Sequence, residues 1–348
     1  MVDSCFFVIN LVMKRNISII GAAVLFCTMA CSTQSNNQIG TSTGQIPKII
    51  FDTDMGPDYD DIGAISVLHA LADSGECEIL ATVASDAHPS IAPTIAVFNR
   101  YFGRDSLPIG AAVQGAPDFT AENGWNDTLI NTFAPDVRTK DYPDAVTVYR
   151  RVLASQPDNS VTVVTVGFLS NISALLDSQP DEYSELTGIA LVNTKVKQLV
   201  AMAGTFPEGT EFNVNKHASA SVNAINRWPK PILFSGFEIG AKIFTGGKVA
   251  QQTGNNPVTK GYAYNLKTYT EKGETNRNSW DQTAVLVAVR NPEDYFYVNG
   301  PGKFTVQEDG SNTWDPTADA GHYFISHKYP YSHIAGVIEG LMLQAPSH

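Results

Sequence analysis

Five aspartates fall within ten positions: Asp52, Asp54, Asp58, Asp60 and Asp61, in the run Phe51-Asp52-Thr53-Asp54-Met55-Gly56-Pro57-Asp58-Tyr59-Asp60-Asp61. Like charges this close repel one another unless something positive lies among them, and one divalent cation can satisfy several carboxylates at once. Capping of a helix explains one aspartate of such a run but not five. The chemistry this spacing predicts is a hard cation held by oxygen ligands.

The elements that must position the cluster follow from the flanking residues. Residues 48–51, Lys-Ile-Ile-Phe, are a short apolar run that ends at once on chain breakers, which predicts a buried strand. Gly56-Pro57 turns the chain, and Ile62, Ile65, Leu68 and Ala72 then recur at helical spacing, so a helix starts near Asp60. A second strand is expected over 76–83. Strand, helix, strand makes a parallel βαβ unit with a right-handed crossover. Ligands of such sheets bind at the carboxyl ends of the strands, where the aspartates lie. Residues 161–166, Val-Thr-Val-Val-Thr-Val, are β-branched throughout and predict a central strand buried on both faces. Further strands are expected over 107–111, 196–203 and 231–235. Helices are expected over 92–102, 145–154, 172–176, 218–228, 283–289 and 331–343. The stretch 112–142 reads as a long loop region, 250–280 as a polar segment, and 296–328 as antiparallel hairpins. No repeat and no boundary interrupts the chain after residue 46. The expectation is a single α/β domain over 47–348, a mostly parallel central sheet flanked by helices with a small antiparallel hairpin region near the C-terminus.

With 43% apolar residues among 348 the chain can bury a large core, and 23 basic against 35 acidic residues give a formal charge of −12. Without a basic stripe, nucleic acid and anionic membrane surfaces are poor partners. Near the N-terminus Lys14-Arg15 precede an apolar run over 17–26 that ends on Thr28-Met29-Ala30-Cys31. That order resembles a bacterial lipoprotein signal: residues 1–30 are expected to be removed, Cys31 to carry the lipid, and 31–46 to be a flexible tether. The alternative, an uncleaved anchor, is disfavoured by an apolar run short for a membrane span. The expected location is therefore outside the cytoplasm, as a periplasmic or outer-membrane lipoprotein of a Gram-negative bacterium touching the membrane only through its lipid. Cys5 and Cys27 would leave with the leader. Cys77 then remains as an inert core residue, and neither an intrachain disulfide nor a cysteine metal site is possible. His69, His322, His327 and His333 are read as structural or surface residues.

At the aspartate cluster the chain resembles the inosine-uridine preferring nucleoside hydrolases. Asp52-Thr53-Asp54-Met55-Gly56 followed by Asp60-Asp61 is similar to their N-terminal signature, and the likeness continues at distant points. Gly167-Phe168-Leu169-Ser170-Asn171 resembles their Gly-Pro-Leu-Thr-Asn, Met202-Ala203-Gly204 their Met-Gly-Gly, Glu211-Phe212-Asn213 their Glu-Phe-Asn, and Asp281 their late metal-binding aspartate. Members are calcium-dependent enzymes that cut the N-glycosidic bond of ribonucleosides, commonly as homodimers or homotetramers. The resemblance implies Ca²⁺ held by Asp54, Asp61, Asp281 and the backbone carbonyl of Val166, with Asp54 also the general base. It implies Asp60, Glu211 and Asn213 on the sugar hydroxyls and Met202 packed near the sugar. Asp52 is left behind the ligand set.

This chain has two more residues in the acidic turn than the family's short form, which makes Asp58 extra: either a helix cap or a further metal ligand. Asp86 or His88 stands where the family has an asparagine after the second strand. Trp280 stands where many members have a histidine before the late aspartate; it either stacks on the leaving base or packs the start of a helix. Two other functions remain open at this stage, a calcium-stabilised, lipid-anchored nucleoside- or sugar-binding protein without turnover, and a phosphatase of the haloacid-dehalogenase type, whose first motif Phe51-Asp52-Thr53-Asp54 also resembles.

Overall fold

The computed structural model describes residues 46–347, and everything below concerns them. The expected signal, Cys31 and nearly all of the tether lie outside the described residues. Twelve strands occur in chain order: β1 Lys48–Thr53, β2 Glu78–Ala84, β3 Ile109–Gly110, β4 Val161–Thr165, β5 Val196–Met202, β6 Glu208–Thr210, β7 Ile232–Ser235, β8 Phe244–Thr245, β9 Arg277–Asn278, β10 Phe296–Val306, β11 Ser311–Asp315 and β12 His322–His327. Ten of them form one sheet in the order β3-β2-β1-β4-β5-β7-β12-β10-β11-β6, and β8 and β9 pair separately as a small antiparallel ribbon.

From β3 through β12 all neighbours are parallel. The expected hairpins exist, but β10 pairs antiparallel with both β12 and β11, so they extend the central sheet rather than stand apart from it. The apolar runs are buried as expected: every residue of β4 is buried, and β1 is buried from Ile49 to Thr53. The chain leaves β1 toward β2 and β3 on one side and returns to place β4 on the other. The gap between the carboxyl ends of β1 and β4 is thus the topological switch point, where open α/β sheets bind ligands.

Two helices fix what lies at that gap. The helix Asp60–Asp73 is buried from Asp60 to Leu71, and the helix Trp280–Val289 is buried from Asp281 to Val289, so both are apolar on nearly every face and lie inside the core. They pack against each other. Gly63 permits this, since a Cβ there would lie 2.3 Å from Nε2 of Gln282 and 2.5 Å from the Tyr262 hydroxyl. Close packing brings the two helix N-termini together, and with them Asp60, Asp61 and Asp281.

Two stretches expected as loop or polar segment contain helices. The region 112–142 contains the helix Trp125–Phe133, whose buried Trp125, Asn126, Leu129 and Ile130 form a single narrow stripe among polar residues. The polar segment 250–280 contains the helix Pro257–Thr268, started by Asn256 accepting from the Thr259 N–H at 2.9 Å and by Pro257 in the first turn. In both, most of the surface is polar, so apolar periodicity is weak. The cap residues of the second were the readable signal.

Candidate active site

At the switch point a cavity of about 240 Å³ opens, and Asp54, Asp60, Asp61, Val166 and Asp281 line it. Asp54 follows the end of β1, Val166 the end of β4, and the other three sit in the first turns of the two buried helices. Oxygens of Asp60, Asp61 and Asp281 all come within 4.8 Å of one another. Asp54 lines the same cavity, close enough to Asp61 that each carboxyl disturbs the other's ionisation. Helix N-termini favour negative charge, which helps hold three of these carboxylates together.

The local backbone is shaped for this. The Asp61 carboxylate accepts from the Thr53 hydroxyl and from the Met55 N–H at 3.0 Å, tying the turn back onto the helix. Met55 holds a positive φ of 49°, a conformation few side chains adopt and one that clusters at functional sites. Gly167 is required by close approach: a Cβ there would lie 2.4 Å from the Asp54 backbone nitrogen. Asp52 faces away from the cavity. Its carboxylate accepts from the Tyr149 hydroxyl at 2.8 Å and the Asn171 amide at 3.1 Å, and Asn171 also bonds the carbonyl of Ala84, so this pair ties the strand ends together.

Electrostatics at this cluster favour a positive partner. Burial, and then Asp61, Asp86 and Asp60, push the Asp54 carboxyl well above the usual range. Burial and Asp60 do the same to Asp281, while burial lifts Asp61 to about 6 against the pull of its Thr53 bond. Four buried carboxyls and a backbone carbonyl, with no His or Cys ligand among them, make a donor set for a hard divalent cation. The residues present fit such an ion.

The other expected site residues also line the cavity, each with a local job. Asp60 accepts from the backbone N–H groups of Trp280 and Asp281 at 3.1 and 3.2 Å, which fixes the start of the second buried helix. Glu211 caps the short helix Phe212–Asn215, accepting from the N–H of Asn213 at 2.8 Å and from Gly204 at 3.2 Å; burial lifts its carboxyl to about 7. The Asn213 amide donates to the carbonyl oxygens of Val166 at 3.0 Å and Met202 at 3.2 Å, and its own carbonyl oxygen stays available on the cavity wall. Trp280 stacks on Phe237 with ring centroids 5.3 Å apart and donates its indole N–H to the Phe237 carbonyl.

Several open points are resolved by geometry. Asp58 neither caps the helix Asp60–Asp73 nor joins the carboxylate trio; it accepts from both Nε and Nη2 of Arg277. Arg277 was missed in the sequence, where it sits in a polar segment 219 positions from its partner. The only hint was the surplus aspartate, which needed a counter-charge. Asp86 accepts from the N–H groups of His88 and Phe119, and both Asp86 and His88 line a neighbouring cavity of about 280 Å³ rather than this one. His217 precedes the helix Ala218–Arg227 and bonds the Ser170 hydroxyl at 2.7 Å, which binds the Gly-Phe-Leu-Ser-Asn turn to that helix. His69 is fully buried between Asn99 and Phe102 with its ring pushed down to about 3, and His322 accepts from the Phe304 N–H; both are structural. Cys77 is buried, its thiol pushed up to about 12 by burial.

Comparison with known proteins agrees with this arrangement. The family model described as inosine-uridine preferring nucleoside hydrolase matches residues 49–329. An uncharacterised protein of Schizosaccharomyces pombe is 29% identical over 217 residues, which is 58% of this chain and 64% of that protein, so the match spans less than two thirds of the relative's length. Among solved structures, a plant nucleoside hydrolase superposes with a TM-score of 0.65 at 18% identity, covering 86% of this chain and 99% of the other. A purine-preferring ribonucleoside hydrolase from Gardnerella vaginalis gives 0.64 at 18%, covering 85% and 99%. At such identities the superpositions speak for the fold, and the family match, running from β1 through β12, takes in every residue of the site. The chain belongs to the inosine-uridine preferring nucleoside hydrolase family.

Proposed function

We propose that this chain hydrolyses the N-glycosidic bond of ribonucleosides in a Ca²⁺-dependent reaction, releasing free base and ribose. The observation that carries this is the convergence of Asp54, Asp61, Asp281 and Val166 with Glu211 and Asn213 on one cavity. Asp54, Asp61, Asp281 and the Val166 carbonyl would hold the ion. When bound, Ca²⁺ supplies Lewis acidity toward the attacking water and compensates the carboxylates, which then stay ionised. Asp54 is the general base: water adds to the anomeric carbon and gives one proton to Asp54. The carbon–nitrogen bond breaks with its electron pair going to the base, which is protonated from solvent. Positive charge builds on the sugar in between, and the ring of carboxylates stabilises it. Asp60, Glu211 and Asn213 orient the sugar hydroxyls, and Met202, 4% exposed beside Asn213, packs against the sugar. Trp280 offers a flat surface at the cavity wall for the base.

The test is base release from inosine, uridine, guanosine and a 4-nitrophenyl riboside with Ca²⁺ or with chelator. Turnover with Ca²⁺ alone supports the hydrolase. Tight nucleoside binding without turnover would replace it by a binding protein, and phosphate release from phosphoesters by a phosphatase. We also propose that the chain is exported as a lipoprotein bearing lipid on Cys31 and assembles as a homodimer or homotetramer. Metabolic labelling with a radioactive fatty acid, lost in Cys31→Ser, checks the first. Light scattering of the soluble domain checks the second; a monomeric mass would exclude it.

A further inference from the structure

Arg277 is built into the cavity wall more firmly than an ordinary surface arginine. Asp58 grips its guanidinium through Nε at 3.0 Å and through Nη2, the fork-to-fork geometry that fixes the plane of the group. Three rings then pack around it: its central carbon lies 5.2 Å from the Trp280 ring centroid, 5.3 Å from Tyr269 and 5.8 Å from Tyr59. Tyr59 is itself pinned by a hydrogen bond to Thr270. Burial works against the charge on Arg277, and Asp58, with Asp60 and Tyr269, more than offsets that.

Both bonds to Asp58 use Nε and Nη2. The two N–H groups of Nη1 are left without a partner among the described residues, on a side chain that lines the cavity. The carboxylates define where the sugar must lie. Arg277 stands against Tyr269 and Trp280, and Phe237 stacks on Trp280; these three rings form an aromatic wall suited to a flat base, and Phe212 is a further ring in the lining. A guanidinium donates and never accepts.

We infer that Arg277, held in place by Asp58, is a specificity-determining residue for the leaving base, donating from Nη1 to a carbonyl oxygen on the base edge that faces it. This rests on the hydrolase function proposed above and adds to it the means of base selection. An oxo group meets the donor with an acceptor. An amino group at the same position meets donor with donor and leaves Nη1 unpaired in a partly dry site, a mismatch that is penalised heavily. The contact tightens as the bond breaks, because the departing electron pair delocalises onto that oxygen. No proton moves from arginine.

The experiment compares the full-length domain with Arg277→Met, Arg277→Lys and Asp58→Asn on inosine, adenosine and 4-nitrophenyl riboside, the last having a leaving group with no such edge. Wild type should prefer inosine over adenosine. Arg277→Met should lower kcat/KM for inosine about 100-fold, lower that for the nitrophenyl substrate at least tenfold less, and collapse the inosine-to-adenosine ratio. Arg277→Lys keeps the charge without the fork and should recover only part of the ratio, with Asp58→Asn in between. Equal losses on all three substrates, or a wild-type preference for adenosine, would overturn the inference while leaving the hydrolase intact. No turnover of any substrate by wild type would overturn both.

Discussion

In the proposed reaction Asp54 is both ligand and base, and its neighbours set the terms. Asp54→Asn should lower kcat by at least about 10³-fold, as loss of a general base does. The same change removes one of the repelling buried carboxyls, so the melting temperature in chelator should rise or stay level; activity near wild type would remove Asp54 as the base. Trp280→Ala should damage purine nucleosides more than the nitrophenyl riboside, and parallel losses on both would assign the ring to packing against Phe237 alone. Asp52 and Glu211, pushed from 3.8 and 4.5 up to about 7 by burial, give a pH signature. Their folded values lie above their unfolded ones, so the folded state binds more protons. The stability they contribute is full below about pH 4 and is lost as pH rises toward 7 and beyond. Metal-free protein should therefore melt lower at pH 8 than at pH 5.5, read by calorimetry; a rise over that interval would contradict the assignment.

At the level of elements, the site depends on two close approaches. Gly167→Ala would drive a Cβ into the Asp54 backbone, and we expect a loss of about 3 kcal/mol together with a larger loss of turnover, because β4 and the acidic turn cannot both keep their places. Denaturant titration beside a kinetic assay would show whether the two losses separate. The elements legible in the sequence were those with one strong signal. The β-branched run of β4 and the apolar run of β1 admit only buried strands, and the helix from Asp60 declared itself through Ile62, Ile65 and Leu68. The helix Trp125–Phe133 stayed hidden because only a narrow stripe of it is buried. In the site, the carboxylates could be read because their repulsion is local in sequence. Arg277 could not, because nothing local in a polar segment marks an arginine that will find its partner across the fold, and Asp58 had to be left between two roles.

For the whole molecule, a cation held as proposed should add to stability, since it would join the end of β1 to a helix more than 200 residues later. A saturating hard cation at 100 times its Kd adds about 2.7 kcal/mol; a melting temperature unmoved by chelator would count against a bound ion. Among the described residues no helix is long and apolar enough to cross a membrane. The sheet described above runs through ten strands and yet ends, on one side, in the two residues Ile109–Gly110 and, on the other, in the three residues Glu208–Thr210. Exposed edges recruit other chains by backbone pairing, and stub edges offer almost nothing to pair with. A second copy laid against either rim would gain only a few ladder bonds. The two end strands of the sheet are thus guarded against runaway pairing, and a copy adding by backbone bonds would have to use the stretch 296–302 of β10, which runs past β11.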